Sequence, residues 1–174
     1  EWRARSGAVA VGIGTALADD PILTARDCVP PAERQPLRVV FDRAARLPVG
    51  SALVCSVGEG PLAVVCDPGA PGIAALAAAG VEAIEASDAG QALAELGCRG
   101  VATVLLEGGP TLAAALRGHD LVDRLALFVA PLVLGAGPNA LEGWPTMRLG
   151  EGELELSSRP VGPDTLLVAD VHEV

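Results

Sequence analysis

At 174 residues, 51% of them hydrophobic, the chain is long enough for one globular domain with a sizeable core. A net charge of −10 and the lack of any apolar run of about 18 residues argue against nucleic acid and membrane as partners. No lysine and no tyrosine occur, which excludes Schiff-base lysine chemistry and a tyrosine general acid. The charge is unevenly spread: residues 1–50 hold seven of the twelve arginines against six acids, the remainder five against sixteen. Cations suited to a phosphorylated small molecule are therefore concentrated at the front.

The chain opens without methionine on EWRARSG, which reads as the end of a helix, and a fragment or the ordered part of a longer protein is expected. No signal peptide is visible, so a cytoplasmic location is expected. Residues 8–11 are an apolar strand followed by Gly12-Ile13-Gly14-Thr15, a glycine turn that admits close backbone approach to a ligand. Residues 16–19 form one helical turn, which Asp20-Pro21 ends. Asp19, Leu23 and Arg26 then share one short loop. Asp19 and Asp20 read equally as capping residues, and Arg26 equally as a surface cation.

Leu37–Phe41 is a strand, as are residues 53–57 and Leu62–Cys66. Residues 73–79 form an alanine-rich helix closed by Gly80. A strand at 81–84 and a helix at 88–96, capped by Ser87, follow. Residues 101–116, VATVLLEGGPTLAAAL, read as strand, glycine turn and helix, with Pro110 at the first helical position. Free N–H groups at such a helix start form an anion cradle, with the Glu107 carboxylate at its mouth. An ordinary strand-to-helix turn explains the pattern equally well.

Strand–helix alternation across 37–117 predicts a parallel sheet. The tail predicts a strand at 124–130 and then a hairpin, residues 154–158 and 165–171, with a longish loop. Its free edge is a candidate for self-association. Cys28, Cys55, Cys66 and Cys98 form no CxxC pair, so neither a metal site nor a disulfide framework is expected. Cys55 and Cys66 lie in apolar runs and read as core residues, while His119 and His172 lack ligand spacing and read as solvated.

Taken together, VGIGTALADDPILTAR (11–26), QPLRVVFDRAARLP (35–48), LLEGGPTLAAAL (105–116) and LVDRLALFVAPLVLGAG (121–137) resemble the reductase domain of the bifunctional riboflavin-biosynthesis deaminase/reductase and its stand-alone relatives. The resemblance covers nearly the whole chain. It implies a single α/β domain over 1–174: a three-layer, dihydrofolate-reductase-like mixed sheet, mainly parallel, with a C-terminal antiparallel hairpin. It also implies NADPH as cofactor, a phosphorylated pyrimidine as substrate, and a homodimer. The implied reaction reduces the ribosyl group of 5-amino-6-(5-phosphoribosylamino)uracil. Relative to the family, an N-terminal strand with an SLDG-like turn is absent from the sequence, as is the deaminase zinc signature.

Carried onto matching positions, the resemblance implies cofactor contacts at Thr15, Asp19, Gly109, Pro110, Thr111, Leu112, Ala113, Ala114 and Ala115. It implies substrate contacts at Arg3, Leu23, Arg26 and Glu107. The arginines suit a phosphate by bidentate geometry. With lysine, tyrosine and suitable histidine missing, Asp19 is the candidate proton donor beside solvent, and Glu107 an orienting acceptor. Two other readings stand beside this one: a reductase of the same fold acting on a pterin or another carbonyl compound, and a nucleotide-binding module without catalysis.

Overall fold

Short β-branched runs alternate with alanine-rich segments through the first two thirds of the computed structural model, which describes residues 1–137, 139–144 and 155–171. The chain divides into two compact units, Glu1–Ala113 and Ala114–Val174. In the first, α1 (Trp2–Arg5) leads into five strands: β1 (Ala8–Gly12), β2 (Leu37–Phe41), β3 (Leu62–Cys66), β4 (Glu82–Glu85) and β5 (Val104–Leu106). Their order is β4-β3-β2-β1-β5, and every pairing is parallel.

The three central strands are almost continuously apolar because both faces are covered. Side-chain alternation sends Val9, Val11, Val40 and Val64 to one face. There they pack with α2 (Ile13–Asp19), α3 (Ala52–Cys55) and α4 (Ile73–Ala78) through Ala16, Leu53 and Leu76. Ala8, Ala10, Val39, Ala63 and Val65 go to the other face, against Ala92 and Leu96 of α5 (Ala89–Cys98). The result is the expected three-layer α/β arrangement. Leu53 is fully buried, and its truncation to alanine would cost about 2–5 kcal/mol.

The expected strand at 53–57 is helical instead: α3 runs over Ala52–Cys55, followed by a 3₁₀ turn at Val57–Glu59. Ser51 caps it, its side chain accepting from the Val54 N–H, and so short an apolar run carries no period to distinguish strand from helix. Cys55 consequently points outward and is exposed, whereas Cys66 is in the core as expected. The cap of α5 is Asp88, not Ser87. Asp88 Oδ1 accepts from the Gln91 N–H at 2.8 Å, and Gln91 Oε1 in turn accepts from the Ser87 N–H at 2.8 Å, so Ser87 belongs to the helix start as a donor to Gln91.

Helix α6 (Pro110–Gly118) starts in the first unit and continues into the second. The second unit carries β6 (Arg124–Val129), β7 (Leu156–Val161) and β8 (Asp164–Asp170), an antiparallel sheet with β8 in the middle. The expected C-terminal hairpin is present. Its loop is tighter than expected, because pairing continues to Val161 and Asp164 and leaves only Gly162-Pro163 as the turn. Leu154 and His172 lie outside the described residues; His119 is exposed, as expected.

Candidate active site

Strand β1 has β2 on one side and β5 on the other, so the direction of the sheet order reverses there. In parallel α/β sheets, ligands bind beyond the carboxyl ends of the strands at such a reversal. Gly12 ends β1 and Gly108-Gly109 follow β5 at this place; the glycine turn expected at 12–15 is instead the direct start of α2 at Ile13, with Gly12 as its N-cap. The Glu107 N–H donates to the Ala10 carbonyl at 2.9 Å, extending the ladder to the lip of the turn.

Gly108 and Gly109 follow with φ of +69° and +79°, the left-handed region that only glycine enters freely. On the side facing α2 the space beside Gly109 is also tight. A Cβ on Gly109 would stand 3.3 Å from Thr15 Oγ1, and one on Gly12 would stand 3.8 Å from the Leu112 Cβ. The structure therefore brings Thr15, Gly109 and Leu112 together. α6 then starts at Pro110, which has no N–H to leave unpaired. The Ala113 N–H already donates to the Gly109 carbonyl at 3.1 Å. The free donors of this helix start are therefore the Thr111 and Leu112 amides and the Thr111 hydroxyl. Ala114 and Ala115 lie further along the helix, where amides are spent on the helix itself. In the second unit the Ala114 methyl lies under Gly143.

Arg3 and Glu107, both expected to touch substrate, meet each other in a bidentate ion pair. The same guanidinium donates to the Thr24 carbonyl at 3.1 Å. The hydrogen bonds it donates to Glu107 raise the already high pKa of Arg3, so this cation stays charged throughout the working pH range. Asp19 ends α2 and is exposed. The closed apolar surroundings that would favour a protonated carboxyl are not around it among the described residues. Asp20 is a cap, its Oδ1 accepting from the Ala52 N–H at 2.8 Å.

Leu23 has φ +61° and a side chain only 2% exposed, packed in the core. Only its backbone is available to a ligand. A left-handed leucine costs about 1–2 kcal/mol. Arg26 lies on the same loop, exposed, and among the described residues its guanidinium makes no ion pair.

Two residues of this region gave no functional signal in the sequence. Gln35 forms a pair of hydrogen bonds with Ala25, accepting from its N–H at 2.7 Å and donating to its carbonyl at 3.0 Å. Arg38 is wholly buried, and burial pushes its pKa down from the ordinary arginine value. Its guanidinium donates to the Ser56 hydroxyl at 2.7 Å and to the carbonyls of Ile22 at 3.1 Å and Ser56 at 2.9 Å, as well as to that of Gly60. A charge in the middle of the apolar run Leu37–Phe41 was the available clue, because arginine is almost never fully buried without partners.

Clefts of about 630 and 780 Å³ open at the opposite, amino ends of the strands, around Gly7. They contain none of the glycine-turn residues. Among the described residues no group of three histidine, cysteine or carboxylate side chains could hold a metal ion, and no helix is long and apolar enough to cross a membrane.

A three-layer parallel α/β domain with a glycine turn facing a strand-to-helix junction at the reversal of its sheet is the nucleotide-dependent reductase class of the dihydrofolate-reductase-like fold. The chain belongs to the RibD C-terminal domain family, whose model matches residues 1–165. This is a family of NADPH-dependent oxidoreductases acting on pyrimidines in riboflavin biosynthesis. The chain is 35% identical over 159 residues to the 2,5-diamino-6-ribosylamino-4(3H)-pyrimidinone 5′-phosphate reductase of Archaeoglobus fulgidus, covering 81% of this chain and 70% of that one. It is 36% identical over 142 residues to the riboflavin biosynthesis protein RibD of Corynebacterium ammoniagenes, covering 80% and 35%. The solved structure of Acinetobacter baumannii RibD superposes with a TM-score of 0.80 at 30% identity, over 97% of this chain and 48% of that one. The chain thus spans about half or less of the RibD proteins it matches.

Proposed function

We propose that this domain uses NADPH to reduce the ribosyl group of 5-amino-6-(5-phosphoribosylamino)uracil to the ribitylamino product. The observation that carries the proposal is the apposition of the β1–α2 junction at Gly12–Thr15 and the Gly108–Gly109 turn at the switch point, with Arg26 exposed on the loop that follows α2. The turn fits a dinucleotide pyrophosphate: no Cβ intrudes, and the Thr111 and Leu112 amides, the Thr111 hydroxyl and Thr15 Oγ1 would hold it. Bound there, NADPH supplies the hydride.

The protein's own part is to bind and orient. In the overall reaction, hydride reaches C1′ while the C1′–O4′ bond opens and one proton is taken up. Arg26 takes the 5′-phosphate; its fork geometry suits two phosphate oxygens. Arg3 sets the angle of Glu107, which accepts from sugar or pyrimidine groups. Leu23 contributes backbone. Solvent supplies the proton, and Asp19, exposed at the end of α2 and without the closed apolar surroundings a donating carboxyl needs among the described residues, is a cofactor contact. A homodimer completes the proposal. It is supported by the outer edge of β7, which pairs only with β8 among the described strands, and by the exposed Leu132, Val133 and Leu134.

The Archaeoglobus relative's name favours a second substrate, the diaminopyrimidinone counterpart of the aminouracil. The experiment is NADPH oxidation by the full chain with each phosphoribosylaminopyrimidine and with dihydrofolate as control. Turnover of the aminouracil well above both others is expected. Turnover of dihydrofolate alone, or of none, would sink the proposal.

A further inference from the structure

Five non-glycine residues among those described have positive φ, and three of them, Asp20, Leu23 and Asp27, fall within eight residues of one another. This concentration of left-handed backbone needs surroundings that over-determine it. The surroundings are present, and they come from side chains that grip backbone. Arg38 holds the Ile22 carbonyl, Arg3 the Thr24 carbonyl, and Gln35 both polar groups of Ala25, while Asp20 holds the amide of Ala52. The Cys28 thiol adds a further tether, donating to the Arg26 carbonyl at 3.3 Å, so the backbone is held up to Arg26 while its guanidinium is left exposed.

The supports are themselves supported. Arg38 also binds Ser56 and Gly60, so it ties the loop to the 3₁₀ turn behind it. Gly60 leaves room for Gln35 and no more, since a Cβ there would lie 2.9 Å from the Gln35 Cβ.

We propose that Gln35 and Arg38 are positioning residues that lock the 20–26 loop in its left-handed form and thereby present Arg26, preset, to the phosphate of the substrate. The inference rests on the assignment of Arg26 to a phosphate made above. An arginine whose backbone is already fixed loses less freedom on binding than one on a mobile loop. The locking therefore acts on phosphate affinity and leaves the cofactor turn untouched.

The test is calorimetric titration of the full chain with ribose 5-phosphate and, separately, with NADPH. It is run on the unaltered protein, Gln35→Met, Arg26→Ala and the double variant. Gln35→Met is expected to weaken ribose 5-phosphate about tenfold, with NADPH affinity within about twofold. On the Arg26→Ala background the same change should cost nothing further, because no guanidinium remains to position. Gly60→Ala, which pushes Gln35 aside, should reproduce the selective loss without touching the loop. Equal losses for both ligands would make Gln35 a general structural support and overturn the proposal. So would a Gln35→Met effect that persists in full without Arg26, or no ribose 5-phosphate binding by the unaltered chain. NADPH oxidation reads the reaction separately: selective phosphate loss without turnover of any pyrimidine would discard the substrate assignment and keep the clamp.

Discussion

Arg3 and Glu107, 104 residues apart in sequence, face each other fork to fork: Nε donates to Oε1 at 2.7 Å and Nη2 to Oε2 at 2.6 Å. The pair fastens α1 to the end of β5, and the bond from Arg3 to Thr24 adds the loop after α2. Both side chains are about a quarter to a third exposed, so the pair is worth more than a surface bridge and less than a buried one. Arg3→Lys keeps the charge and loses the fork. We expect it to lower unfolding free energy by about 1–2 kcal/mol in urea titration. Glu107→Gln should raise the substrate KM severalfold more than the NADPH KM. An Arg3→Lys variant as stable as the parent would show that charge alone suffices.

The second unit has its own ionic clasp. Arg124 and Asp170 are partners in the β6–β8 register, and Arg124 Nε donates to Asp170 Oδ1. That hydrogen bond holds the Asp170 carboxyl below its ordinary value. A carboxyl whose folded pKa is depressed stabilises at pH above its unfolded value and loses that contribution as pH falls through the folded one. Stability should therefore be flat from neutral down to the ordinary carboxylate range and fall below it. Asp170→Asn should flatten part of that acid slope while lowering stability at neutral pH. Urea midpoints between about pH 6 and about pH 3 measure both. Identical slopes would remove Asp170 from the acid response.

What the sequence disclosed and what it hid follow from the range of the forces involved. β3 has its expected limits because five consecutive buried apolar residues define a strand locally, and β2 has its own because only Arg38 interrupts an apolar run. The Gly108-Gly109 turn was legible as a turn, whereas the expected turn at Ile13-Gly14-Thr15 is the first turn of α2. The contact between Thr15 and Gly109 was not legible, since it depends on β5 returning beside β1 after three intervening strands. The 53–57 segment misled because four or five apolar residues fit either period, and the Ser51 cap decides. Arg38 and Gln35 stayed invisible as supports for a different reason. Their loop partners are main-chain groups of Ile22 and Ala25, and a sequence pattern marks side chains only.

The same correction at α3 has a chemical consequence. Cys55 and Cys98 are exposed, while Cys66 is 1% exposed and burial pushes its thiol above the ordinary value. The thiolate is the reactive form. Cys55 and Cys98 should therefore react with a disulfide reagent promptly in the native protein, and Cys66 only on unfolding. Mass mapping of labelled peptides before and after addition of urea checks this. Prompt labelling of Cys66 would contradict its place in the core.

Asp19 stands exposed at the end of α2. Among the described residues it lacks the closed apolar surroundings that a donating carboxyl needs, and solvent supplies the proton. Asp19→Asn keeps the size and the hydrogen-bonding shape and removes the charge. We expect kcat to hold within about twofold while the NADPH KM moves severalfold. A fall in kcat of about a hundredfold would instead make Asp19 the proton donor.

Gly109 offers the sharpest test of the cofactor turn, because two independent effects act there in one direction. Its φ of +79° makes any Cβ strained, by about 1–2 kcal/mol, and the Cβ would stand 3.3 Å from Thr15 Oγ1. Gly109→Ala should therefore destabilise the fold by about that amount in urea titration. It should also weaken NADPH by at least about tenfold in a fluorescence titration, since the methyl group enters the space where backbone must approach phosphate. Thr15→Ser separates the two effects. The serine keeps the hydroxyl and removes a methyl group that lies 3.6 Å from where a Gly108 Cβ would be, so NADPH affinity should hold within about twofold. If Gly109→Ala destabilises the protein yet binds NADPH normally, the turn is structural and the dinucleotide lies elsewhere.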